Sequence, residues 1–128
     1  MENGISEENF FFDTYALIEV FNGNKNYEKY KKAGAITSYF NLYELYYNLK
    51  KIHEENTFYD FFLFLRGLCV NLNFDWIKEA VEFRIKYKKN DLSYADCIGY
   101  IIAKNLSVKF LTGDKEFEDM KNVEFVKK

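Results

Sequence analysis

The chain has 128 residues, 48% of them hydrophobic and 30% charged, with a formal net charge of -2. That length carries one domain able to bury a core without disulfides or a structural metal. The near-neutral charge excludes a basic nucleic-acid coat, but not an enzyme that meets phosphate through a bound cation.

Residues 1–9 are polar and acidic and read as a flexible tail with no apolar signal core, leaving 10–128 as a single domain. Phe10, Phe11 and Phe12 form a first strand ending at Asp13. Ala16, Leu17, Val20 and Phe21 repeat at helical spacing until Asn22-Gly23-Asn24 stops them. A basic, Tyr-containing segment, 25–32, precedes a second strand at Ala35, Ile36 and Thr37. Leu42, Leu45, Leu49 and Ile52 mark an amphipathic helix with Glu44 in its first turn, and Phe58, Phe61, Phe62 and Leu65 mark another that ends at Gly67. Residues 68–72 read as a third strand. Ile77, Ala80, Val81, Arg84 and Ile85 follow a helical stripe into the basic run 84–89, and Ser93 opens a helix carrying Ala95, Ile98, Ile101 and Ile102. Residues 108–111 and 123–126 read as the fourth and fifth strands, with a short helix over 115–120 between them. Strands alternating with helices predict a parallel sheet flanked by helices.

Cys69 and Cys97 lack C-x-x-C spacing and read as buried free thiols. The longest apolar stretch, 58–70, is broken by Asp60, Arg66 and Gly67 and is too short to span a bilayer, so a reducing cytoplasm and no membrane contact are expected.

Asp13, Glu44, Asp96 and Asp114 each fall where an apolar strand-like run gives way to a helix. In an open parallel sheet the carboxyl ends of the strands share one edge, where ligands bind, so these carboxylates are expected to converge there. Each also reads as a helix cap: Asp13 and Asp114 directly, Asn41 with Glu44 and Ser93 with Asp96 as capping boxes. The two readings are compatible, because the positive end of a helix dipole keeps a carboxylate ionised, as a metal ligand must be. An all-carboxylate set without a His or Cys cluster suits Mg²⁺ or Mn²⁺ and disfavours zinc. Asp13 and Asp96 are expected to bind the principal ion, with Glu44 and Asp114 completing the site.

The ordered segments Phe12-Asp13-Thr14, Asn41-Leu42-Tyr43-Glu44-Leu45, Leu92-Ser93-Tyr94-Ala95-Asp96 and Leu111-Thr112-Gly113-Asp114, with the closing Val123-Glu124-Phe125-Val126, resemble the PIN domain family, the nuclease fold of VapC-type toxins and several RNA-processing enzymes. The resemblance implies a three-layer α/β/α sandwich with a central parallel sheet, here of about five strands. It matches Asp13, Glu44, Asp96 and Asp114 to the family acids, and Thr112 to a hydroxyl residue lining the site. It further implies a metal-dependent endoribonuclease leaving 5′-phosphate and 3′-hydroxyl ends. In size the chain resembles the toxin of a type II toxin–antitoxin pair, with a small antitoxin as partner and a homodimer as its assembly. A housekeeping RNA-processing nuclease and a catalytically silent interaction module on the same fold are the alternatives. Tyr15 departs from the family pattern, standing where many members carry a small polar residue, which bears on pocket width and substrate choice.

A phospho-accepting receiver domain is disfavoured, since the third predicted strand ends in Asn71-Leu72-Asn73 and Asp13 has no acidic neighbour. His53 reads as a surface residue. The clusters 25–32 and 84–89 read as solvated helix ends that also suit an RNA backbone. Tyr39, Tyr43, Tyr46 and Tyr47 are expected mostly to pack between helices or at a subunit contact, with base stacking as the alternative. Trp76 is expected to pack.

Overall fold

A computed structural model describes residues 8–127. The four strands β1 (Asn9–Phe12), β2 (Gly34–Ile36), β3 (Lys109–Thr112) and β4 (Val123–Phe125) form one parallel sheet in the order β2-β1-β3-β4. Around it lie α1 (Thr14–Phe21), α2 (Tyr39–Lys51), α3 (Tyr59–Arg66), α4 (Phe74–Lys86) and α5 (Tyr94–Asn105), with 3₁₀ turns at Lys25–Lys32, Lys88–Asn90 and Lys115–Phe117. Of the tail expected over 1–9, residues 1–7 fall outside the described residues, and Asn9 already pairs with Gly34.

Strand periodicity explains the layers. Phe10 and Phe12 point to one face, where Leu17, Leu42, Leu45 and Leu65 of α1 to α3 cover them together with Tyr27 and Tyr30. Phe11 points to the other, against Ile101 and Ile102 of α5 and Ala80 of α4. Leu111 and Phe110 repeat the split on β3, and Phe11 and Phe110 stand opposite each other in register with rings 5.8 Å apart. A three-residue aromatic run therefore serves both cores of an α/β/α sandwich. Gly99 lets α5 lie directly on that sheet, because a Cβ there would stand 2.6 Å from the Phe11 ring. Trp76 packs half-buried against the α4–α5 core, and Cys69 and Cys97 are free thiols, half-buried and buried respectively.

Among the described residues the sheet has four strands, not five. Residues 68–72 make only an isolated parallel bridge, in which Thr37 N donates to the Leu68 carbonyl at 3.0 Å and Val70 N donates to the Thr37 carbonyl at 3.0 Å. Thr37 is followed at once by Ser38, whose side chain is committed to capping α2, and the bridge to Cys69 is not extended into a ladder.

Candidate active site

At the carboxyl edge of this sheet, β1 gives way to α1 and β3 to the Lys115–Phe117 turn. Asp13 leaves β1 with extended backbone (φ -75°, ψ 175°) and caps α1, its Oδ1 accepting from Ala16 N at 2.8 Å. Its own N–H donates to the Leu111 carbonyl at 3.2 Å, which fastens it to β3. On β3, the Thr112 hydroxyl donates to Asp13 Oδ2 at 2.5 Å and accepts from Asp114 N at 3.0 Å. One buried hydroxyl thus links the two acids at the ends of neighbouring strands. Asp114 in turn caps the Lys115–Phe117 turn, its Oδ1 accepting from Glu116 N at 3.0 Å.

Asp96 and Glu44 arrive differently from what their sequence neighbours suggest. Asp96 follows no strand. It stands at the third position of α5, in the capping box expected with Ser93, where Ser93 N donates to Asp96 Oδ2 at 2.9 Å and Asp96 N donates to Ser93 Oγ at 3.0 Å. A helix that precedes a parallel strand runs back along the sheet, so the start of α5 lies at the carboxyl edge of β3. Glu44 lies in the second turn of α2, not the first, because the cap is Ser38, whose Oγ accepts from Asn41 N at 3.2 Å. The expected Asn41–Glu44 capping box therefore does not form.

Asn41 has another task. It is fully buried, donates through Nδ2 to Thr14 Oγ1 at 3.2 Å, and accepts from Ser38 Oγ at 2.6 Å, tying the start of α2 to the start of α1 directly after Asp13. Sequence reading missed Ser38 because the Asn41 spacing offered a rival cap. The available signal was a Ser one turn ahead of the apolar stripe.

The four acids share one electrostatic field. Asp13, 2% exposed, has its carboxyl pushed up to about 8, first by burial and then by Asp96 and Asp114, against the opposing bonds from Thr112 and Ala16. Half-buried Asp96 is raised to about 6, again first by burial, with Glu44 and Asp114 adding to it against the Ser93 bonds. Among the described residues none of the four is in an ion pair. Buried mutual repulsion without a cation is the condition that a divalent ion relieves, and the all-oxygen donors suit a hard one. Among the described residues, however, no three His, Cys, Asp or Glu side chains stand as a ready-made metal-binding group. Capping bonds hold the carboxylates of Asp13, Asp96 and Asp114 in their present directions.

The remaining candidates sort simply. His53 is exposed just past α2, with left-handed backbone at φ 60°. Lys25, Lys29, Lys31, Lys32, Arg84, Lys86, Lys88 and Lys89 are all exposed. Tyr39, Tyr43, Tyr46 and Tyr47 are 58%, 76%, 42% and 56% exposed, the inner face of α2 being taken by Leu42, Leu45 and Leu49; of the four, Tyr46 meets Phe62 of α3 edge-on with ring centroids 5.2 Å apart.

Comparison with known proteins agrees with this geometry. Residues 10–123 match the model of the PIN domain. The fold is similar to a solved toxin–antitoxin complex from Klebsiella pneumoniae, with TM-score 0.69 and 24% identity over 89% of this chain and 94% of that one. It is also similar to the crystal structure of PAE2754 from Pyrobaculum aerophilum, with TM-score 0.68 and 13% identity over 94% of this chain and 92% of that one. No curated protein matches.

Proposed function

The chain belongs to the PIN domain family, a family of nucleases, and we propose that it is a metal-dependent endoribonuclease serving as the toxin of a type II toxin–antitoxin pair. The observation that carries this reading is a buried carboxylate, Asp13, raised first by its burial and then by Asp96 and Asp114, and in no ion pair among the described residues. Asp13 and Asp96 would hold Mg²⁺ or Mn²⁺, with Glu44 and Asp114 completing the set directly or through water. When bound, the ion acidifies a water for attack on the scissile phosphorus and offsets charge on the leaving oxygen. The protein's own residues prepare the ground. Thr112 holds Asp13 in place and ties it to Asp114, and the Ser93 cap fixes Asp96 at the start of a helix whose dipole favours its charged form.

The likeness of fold to a solved toxin–antitoxin complex supports an antitoxin as partner. So does an exposed apolar row on α4, Ile77, Val81 and Ile85, which faces Phe40 and Tyr94 across a groove. Patches of that kind mark protein contacts, and a homodimer is the assembly we expect. Among the described residues no helix is long and apolar enough to cross a membrane.

The test is calorimetric titration of Mn²⁺ into the wild type and into an Asp13→Asn/Asp96→Asn double variant. Binding by the wild type alone is expected, followed by Mn²⁺-dependent cleavage of RNA. Equal heats from both proteins would end the metal assignment. Growth arrest on expression, relieved by a co-expressed neighbouring gene, separates a toxin from an RNA-processing enzyme.

A further inference from the structure

Beside the acids lies a side chain that the chemistry above leaves unused. In the first turn of α1, Asp13, Thr14, Ala16 and Leu17 are buried, while Tyr15 stays partly exposed. Its ring does not swing free. A Cβ placed on Gly113 would stand 2.3 Å from Tyr15 Cε1 and 2.8 Å from Cδ1, so one edge of the ring rests where any other residue would have a side chain. Gly113 sits between Thr112 and Asp114, and the seat is thus built into the loop that carries the acids. The same Cβ would lie 2.6 Å from the Tyr27 hydroxyl, which is itself pinned by donating to the Val126 carbonyl at 2.8 Å. Tyr27 is fully buried and does the packing here; a second ring needed only as filler would be buried beside it.

A ring clamped along one edge at the rim of a phosphodiester-cleaving site offers a rigid apolar platform with little freedom left to lose. Nucleobases stack on such rings whatever their identity. Tyr15 follows Asp13 by two residues, and its seat Gly113 directly precedes Asp114, so the ring stands beside the acids that would hold the ion and, through it, the scissile phosphate. Building on the endoribonuclease reading, we infer that Tyr15 stacks the nucleobase next to the scissile phosphate. A base is free to stack on protein only where it has left its own helix.

The experiment compares wild type, Tyr15→Ser and Tyr15→Phe by fluorescence anisotropy, with Ca²⁺ replacing Mg²⁺. Two probes are used: a short single-stranded RNA and an abasic ribose-phosphate chain of the same length. Tyr15→Ser should weaken RNA binding by about tenfold, the size of one lost stack, and Tyr15→Phe should restore it. The abasic chain should bind all three proteins alike, and Mn²⁺ affinity should not change. Equal weakening on both probes, or none on RNA, would overturn the assignment, since the ring would then serve the fold or the phosphate. Failure of the wild type to bind Mn²⁺ and RNA at all would overturn the nuclease reading itself, and this assignment with it.

Discussion

At the scale of single residues, the candidate site is marked by two carboxyls held above their ordinary range. Both Asp13 and Asp96 start from 3.8 when unfolded and rise to about 8 and about 6 in the folded protein. The native state therefore holds protons that the unfolded chain has released, and stability declines as pH rises through that window. It is fully present below about pH 4 and lost progressively up to about pH 6 for Asp96 and about pH 8 for Asp13. Because Ser93 N still finds an acceptor on an amide, Asp96→Asn should raise the stability of the metal-free protein near neutral pH, on the order of 2 kcal/mol, with no gain near pH 4. Thermal unfolding at the two pH values checks this, and an unchanged pH slope in the variant would refute it. Metal competes with the same protons, so Mn²⁺ affinity should climb with pH over the same range, read by repeating the titration at successive pH values.

At the scale of elements, the legible features were those set by short-range chemistry. The apolar stripes of α2 and α5, the stop at Asn22-Gly23-Asn24 and the Ser93–Asp96 capping box all depend on residues within a turn of one another. Misreadings arose where a distant neighbour decided. Residues 68–72 are apolar enough for a strand, yet the bridge from Cys69 to Thr37 is not extended into a ladder. Asn41 has cap spacing, but tertiary contact with Thr14 draws it inside and leaves the cap to Ser38. Helix and sheet approach closely at Gly99. Helix propensity alone favours Ala there by about 1 kcal/mol. A Cβ 2.6 Å from the Phe11 ring and 3.1 Å from the Phe110 ring has no room, and both rings are fully buried. Overpacking of that kind costs about 1–3 kcal/mol, so Gly99→Ala should be net destabilising. A lower urea midpoint at constant slope is the expected reading.

At the scale of the whole molecule, folding drives acids from distant parts of the chain together, and a ligand of opposite charge should repay that cost. Mn²⁺ at about a hundred times its dissociation constant should stabilise the wild type by about 2.7 kcal/mol, visible as a raised melting temperature, and should leave the Asp13→Asn/Asp96→Asn variant unmoved. Periodicity and side-chain chemistry are written locally. They were enough to establish the α/β alternation, the parallel sheet and the membership suggested by Phe12-Asp13-Thr14 and Thr112-Gly113-Asp114, and to single out the candidate acids. How those acids meet was settled by the folded chain alone. Asp13 and Asp114 do end strands, but Asp96 comes from the start of α5 and Glu44 from the second turn of α2. The packing of α1 against the β3 loop likewise made Gly113 the seat for Tyr15. Burial, mutual repulsion and close approach are properties of groups brought together across the sheet edge, and no spacing along the chain encodes them.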